Sequence, residues 1–282
     1  MKTEKTSTTI HRADYRPLAW TVECVDLHFR LDPGATVVTN RMTCVRNLAA
    51  EPGPLRLWGE AAERLSLRVD GRAATVLHEG GGELEIGLEA EMGGKVAVEV
   101  VTQIDPSANT ALSGLYLSKG GFFTQCEAEG FRRITYFPDR PDVMARYTVT
   151  LEARREQCPT LLSNGNLVDA GELPGGWHYA RWEDPFPKPS YLFALAAAKL
   201  AALERELRTA SGRAVLLQVW VEENNLDRAG HALDSLIAAM RWDEERFGLE
   251  LDLDRYMIVA VADFNMGAME NKGLNVFNTK YV

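Results

Sequence analysis

Near the C-terminus, Asn265-Met266-Gly267-Ala268-Met269-Glu270-Asn271-Lys272-Gly273 combines a carboxylate, amides and glycines in one short stretch. Gly267 and Gly273 carry no Cβ, so backbone there can approach a ligand closely. Glu270 offers a negative charge suited to a cationic group such as a free α-amine. The N–H and C=O groups of Gly267 and Ala268 could pair with an extended peptide as with an added strand. A solvated glycine-rich turn after a core strand has the same local composition, so both readings stand on these residues alone.

A second group lies far upstream. Gln125, Cys126, Glu127 and Glu129 follow the apolar pair Phe122-Phe123. Carboxylates this close repel one another unless a cation is near; without one, this is a solvated acidic loop. If the backbone alternates as in a strand, Gln125 and Glu127 share a face and Cys126 points away. The thiol is then a packing group and not a nucleophile. Arg132, Arg133, Asp139 and Arg140 can form ion pairs, expected to seat this loop against the following domain.

The string at 267–271 reads GAMEN and resembles the exopeptidase motif of the zinc aminopeptidases of the aminopeptidase N family. Segments 109–116, 124–136, 138–143 and 242–248 resemble bacterial members in the same order. The resemblance implies that Glu270 binds the substrate's N-terminal amine with help from Gln125 and Glu127. It implies that Gly267 and Ala268 hold the peptide backbone and that Met266 lines the pocket for the first side chain. Met269 and Asn271 complete the substrate-binding segment. Two carboxylates and an amide can satisfy the three donors of an ammonium group. The implied activity is release of N-terminal residues from peptides. The alternative is a non-catalytic peptide-binding or scaffold protein that keeps the amine site.

The family binds zinc through H-E-x-x-H on a helix and a downstream glutamate, two histidines at i and i+4 facing the same way. The histidines here are His11, His28, His78, His178 and His231, and none begins that pattern. His78-Glu79 runs directly into glycines. In the family the zinc motif follows GAMEN, and this sequence ends at Val282. The expectation is an N-terminal portion: zinc in the complete enzyme, but no cofactor, metal ligand or catalytic residue in this chain. Alone it is expected to be inactive and to self-associate through uncovered surfaces.

Thirty-one basic against 40 acidic residues give a net charge of −9 over 282 residues, which disfavours nucleic acid and anionic membranes as partners. Hydrophobic content of 46% and charged content of 25% are those of a globular protein. The cysteines, Cys24, Cys44, Cys126 and Cys158, are dispersed without a C-x-x-C pair, which favours a reducing compartment. Residues 1–16 lack the apolar core of a signal peptide, and the apolar run 191–203 is too short to span a bilayer. A cytoplasmic protein is expected.

The elements expected to carry these groups differ between the two ends. Val25, Leu27, Phe29 and Leu31 alternate with polar residues, including His28, as in a strand with one buried face. Similar strands are predicted at 37–45, around Leu65, Leu67 and Val69, at 84–88 and at 96–100, with a tight turn at Asp70-Gly71. This predicts an antiparallel, saddle-like β-sandwich domain over 1–198. The prolines at 185, 187 and 189 are expected to break regular structure before a last strand at 191–195. Residues 199–282 are predicted to open a thermolysin-like α+β catalytic domain. Its parts are a strand at 214–221, a helix from about Leu226 capped by Asn225 and stopped at Gly248, and a strand at 256–261. Ala229, Leu233, Leu236, Ile237, Met240 and Phe247 make the helix's apolar stripe, with Trp242 near the core and His231 solvated.

Overall fold

The computed structural model describes residue 9 and residues 11–88 and 94–282. Part of the 1–16 segment read for a leader lies outside the described residues. Trp20–Arg30 and Thr36–Arg46 form a long hairpin in an eight-stranded sheet, with Lys95–Ile104 and Glu63–Val69 beyond it. On the other side lie Ala145–Arg154, Trp177–Lys188 and Asn166–Leu173. Val25, Leu27, Phe29 and Leu31 are buried as the alternation requires. His28 lies on the polar face, hydrogen-bonded to Glu152 at 2.8 Å.

Among the described residues, every junction of this sheet is antiparallel except one. Trp20–Arg30 and Ala145–Arg154 run parallel, so the sheet is mixed. More than a hundred residues separate these strands, which gives ample length for the crossover that parallel pairing needs. Leu65 is exposed because the register slips between Arg64 and Ser66, leaving it bulged out of the ladder.

Two expectations near residue 190 need correction. Trp177–Lys188 continues as a strand through Pro185 and Pro187. Its pairing with Asn166–Leu173 stops at Glu183, and its register with Ala145–Arg154 is interrupted between Ala145 and Tyr147. The missing proline N–H groups therefore fall where the ladder makes no demand on them. Residues 190–192 form a 3-10 turn, and the strand begins only at Leu195–Ala198. That strand sits centrally in a four-stranded sheet ordered Thr160–Ser163, Leu195–Ala198, Gly121–Gln125, Gly114–Ser118.

From residue 201 onward the strands build a separate five-stranded sheet. Its order is Ala201–Arg208, Ala214–Val221, Arg255–Val261, Leu274–Asn278, Ala268–Met269. Ala214–Val221 and Arg255–Val261 are parallel and are joined through the helix Ala229–Phe247. Ala201–Arg208 went unread in the sequence because charged residues interrupt its apolar pattern. The helix begins later than expected: Glu223–Arg228 forms a 3-10 turn first, and no side chain caps the α-helix. Asn225 instead accepts a hydrogen bond from Arg228. Gly248 ends the helix in the left-handed region at φ 67°. Leu233, Leu236 and Met240 face the core, but Trp242 and Phe247 are each 57% exposed and pack edge-to-face on each other. Trp242 is two residues past Met240, about 200° round the helix, so it cannot share that face.

The five-stranded sheet is a middle layer. Ile258 and Ala260 pack towards the helix, while Met257, Val259 and Val261 join the main core with Phe29, Phe131 and Tyr147. That alternation along one strand fastens the second unit to the first.

Candidate functional site

Both sequence-marked groups sit where the two units meet. The strand Gly121–Gln125 delivers the upstream group and ends at Gln125; Cys126 is fully buried and Glu127 is exposed. Burial, reinforced by the nearby Asp139 charge, pushes the Cys126 thiol well above its ordinary range. It is a packing group, although the strand ends at Gln125 and Gln125 is buried beside it, so the expected alternation through Glu127 is not the reason. The Glu127–Ala128 peptide bond is cis.

Phe131, just past this loop, packs edge-to-face on Phe137 and Phe193, with centroids 5.0 and 5.3 Å away. Arg132 Nε donates to Asp139 at 3.0 Å, and Ser190 Oγ donates to the other oxygen of the same carboxylate. Arg140 pairs with Asp142. The Asp139 pairs therefore fasten the loop within the first unit and do not seat it against the second, contrary to the sequence expectation. Asp139 is buried, and desolvation favours satisfying it at short range.

Beneath the loop lies a buried ionic pair. Lys188 Nζ is 3.1 Å from Asp184 and 3.9 Å from the Tyr147 ring centroid. Burial pushes the Lys188 ammonium down to about 8, partly opposed by the Asp184 charge.

The downstream group follows the strand Arg255–Val261. Among the described residues, Ala268–Met269 pairs only with Leu274–Asn278 and forms the sheet's edge. The Gly267 carbonyl accepts from Asn278 N at 2.9 Å. Gly267, Ala268 and Glu270 are exposed; Met269 and Asn271 are buried. Met269 turns its side chain into the core, and Asn271 Nδ2 donates to the Phe193 carbonyl at 3.2 Å.

The two groups meet through Gln125 and Met266. Gln125 Nε2 lies 3.6 Å from Met266 Sδ and 3.4 Å from the Glu127 carbonyl. Gln125 Oε1 is buried without a hydrogen-bond partner among the described residues. Asn265 Nδ2 donates to the Leu112 carbonyl at 3.3 Å, and Ser118 Oγ donates to Asp263 at 2.7 Å. Gln125 is therefore buried against the entrance to the 267–271 segment, with the Glu127 and Glu270 residues solvent-accessible.

The side chains present do not fit zinc. Among the described residues, no group of three or more His, Cys, Asp or Glu side chains is arranged to hold a metal ion. His28 and His178 are engaged with Glu152 and the Cys158 carbonyl. Among the described residues, no helix is long and apolar enough to cross a membrane. The four cysteines are free. Sequence reading did not single out Asn164, which touches Lys272 in the segment's last turn; an isolated Asn-Gly in a loop carries no functional signal.

Comparison with known proteins matches residues 77–192 to the Peptidase M1 N-terminal domain and residues 231–282 to the Peptidase family M1 domain. The chain is 52% identical over 283 aligned positions to aminopeptidase N of Caulobacter vibrioides, covering 99% of this chain and 32% of the relative. It is 51% identical to aminopeptidase N of Escherichia coli, covering 96% and 31%. In structure it is similar to aminopeptidase A of Legionella pneumophila, solved in complex with aspartic acid. The TM-score is 0.89 at 35% identity, with 96% of this chain and 32% of that one covered. The chain spans about a third of the length of the curated relatives it matches.

Proposed function

The chain belongs to peptidase family M1, and from that premise we propose that it forms the amine-recognition part of an aminopeptidase releasing N-terminal residues from peptides. The observation that carries this reading is the meeting of Gln125 with Met266, 141 residues apart in sequence, at the start of the edge segment. Glu270, Glu127 and the Gln125 carbonyl oxygen would surround one ammonium group. A buried acceptor without a partner costs about 1–3 kcal/mol, and a substrate amine would relieve that cost at Gln125 Oε1.

In this reading Gly267 and Ala268 hold the peptide backbone on the open side of the edge strand, the Gly267 carbonyl itself being taken by Asn278 N, and Met266 borders the first side chain. Met269 and Asn271 support the segment from within. These residues hold and orient substrate; they do not break the bond. M1 aminopeptidases are zinc-dependent, and the metal's ligands would come from residues outside these 282. The domain boundary lies between residues 198 and 199, at the change of sheet. We place the protein in a reducing, cytoplasmic setting, in keeping with its free cysteines.

The 282-residue chain by itself is expected to hold no stoichiometric zinc and to turn over no aminoacyl substrate. Exposed Trp242, Phe247 and Leu249 favour self-association of the isolated chain. Ligand-observed NMR tests the recognition itself, comparing leucine amide with N-acetyl-leucine amide. Binding of the free amine alone supports the reading. Equal binding of both, or of neither, removes it.

A further inference from the structure

Glu270 is useful only if it keeps a fixed distance from Gln125 and Glu127, yet it follows an edge strand of a different sheet from the one that ends at Gln125. That edge strand is only the two residues Ala268–Met269. Something outside that strand must fix its position, and the contacts single out one side chain.

Asn164 is buried, and its whole amide is engaged. Oδ1 accepts from Ala194 N at 2.7 Å, while Nδ2 donates to the Leu192 carbonyl at 3.0 Å and the Lys272 carbonyl at 2.8 Å. Two of these partners lie in the turn that also presents the Phe193 carbonyl to Asn271. The two residues immediately after Glu270 are therefore both tied to that turn. Phe193 in turn stacks on Phe29, 5.9 Å between centroids, and packs edge-to-face on Phe131 beside the Gln125 loop. The chain of contacts runs from one half of the amine site to the other through rigid packed groups.

The base of this clasp has no slack. Gly165 holds φ 91°, and a Cβ there would collide with the Glu183 carbonyl. The Gly165 amide nitrogen faces Gly273, where an added Cβ would lie 3.5 Å from it. Next along, Asn166 exchanges hydrogen bonds with Asp254, at 2.9 and 3.1 Å. Aspartate at 164 would keep the acceptor but lose both donors and turn a carboxylate towards two carbonyl oxygens.

We propose that Asn164 is a positioning residue for amine recognition, clasping the Lys272 carbonyl so that Glu270 keeps its place beside Gln125 and Glu127. The proposal rests on the amine-site reading above. Small displacements of a binding group are costly to catalysis, so the clasp acts on substrate handling without touching substrate.

Hydrogen exchange on the 282-residue chain tests the clasp in Asn164→Ala and Asn164→Asp. Amides of residues 268–278 are expected to exchange at least about tenfold faster, with those of Trp20–Arg30 unchanged. The aspartate variant should show the larger effect; if it fails to fold, the alanine variant decides. Unchanged exchange over 268–278, or loss of protection throughout the chain, overturns the proposal. A second arm uses an active enzyme carrying this sequence. Asn164→Ala should lower kcat/KM about tenfold or more, and combined with Glu270→Ala it should add little, because displacing an absent carboxylate has no further effect. Full additivity overturns the proposal. If Glu270→Ala alone leaves kcat/KM unaltered, the amine-site reading falls, and the exchange result still decides whether the clasp exists.

Discussion

The Gln125 loop and the Glu270 segment are held in opposite ways. The first ends a strand inside a four-stranded sheet and rests on buried rings and a buried carboxylate shared by Arg132 and Ser190. The second is a two-residue edge strand, paired on one side only. The proposed amine site thus has a fixed wall and an attached wall. The fixed wall gets its geometry from its own core, and the attached wall borrows it through Asn164 and Asn271. An open edge is what an incoming peptide strand needs, so the less secured wall is also the one with free backbone groups.

The fixed wall should break most severely at its buried charge. Lys188→Met leaves Asp184 buried without its partner, and is expected to cost about 3–5 kcal/mol in urea unfolding. Asp184→Asn with Lys188→Met should recover much of that loss. A loss below about 1 kcal/mol for the single variant would mean that this pair does not stiffen the wall.

The attached wall should break in function and not in folding. In an active enzyme carrying this sequence, Glu270→Ala is expected to lower kcat/KM by roughly 30- to 1,000-fold, about 2–4 kcal/mol, with urea stability little changed. The exposure of Glu270 is the reason for the second half of that expectation.

A third comparison uses pH. Lys188 falls to about 8 in the folded chain, below the ordinary lysine value of 10.5. Above pH 8 the folded protein releases this proton while the unfolded chain retains it, so stability from this group rises with pH up to about 10.5. Wild type should gain at most about 1.4 kcal/mol per pH unit in that window relative to Lys188→Met. Equal pH profiles for the two proteins would show that Lys188 does not titrate there. The smallest effect is expected far from both walls: Trp242→Ser, at an exposed position, should change stability by no more than about 0.5 kcal/mol while reducing self-association in size-exclusion chromatography.

Much of the fixed wall's scaffold was legible because period-two alternation survives in Val25, Leu27, Phe29 and Leu31, and each of these is buried. The segment 267–271 was legible as a string. Its edge-strand role followed from no local pattern, since pairing with Leu274–Asn278 is a tertiary event. Periodicity also misled where the helical stripe ran on to the helix's exposed last residue, as at Phe247, or where a bulge turned Leu65 outward. Asn164 was invisible for a different reason. Its importance lies in three backbone partners, two about thirty residues downstream and one over a hundred, and nothing in an Asn-Gly pair reports them.

In the proposed amine site, Gln125, Glu127 and Glu270 enclose one ammonium group. A crystal structure of the chain soaked with leucine amide measures this directly. The ligand's nitrogen is expected within about 3 Å of a carboxylate oxygen from each of Glu127 and Glu270, with Gln125 Oε1 as the third acceptor. A ligand nitrogen bound elsewhere, or Glu127 and Glu270 directed to opposite faces with the two units packed as here, would contradict it.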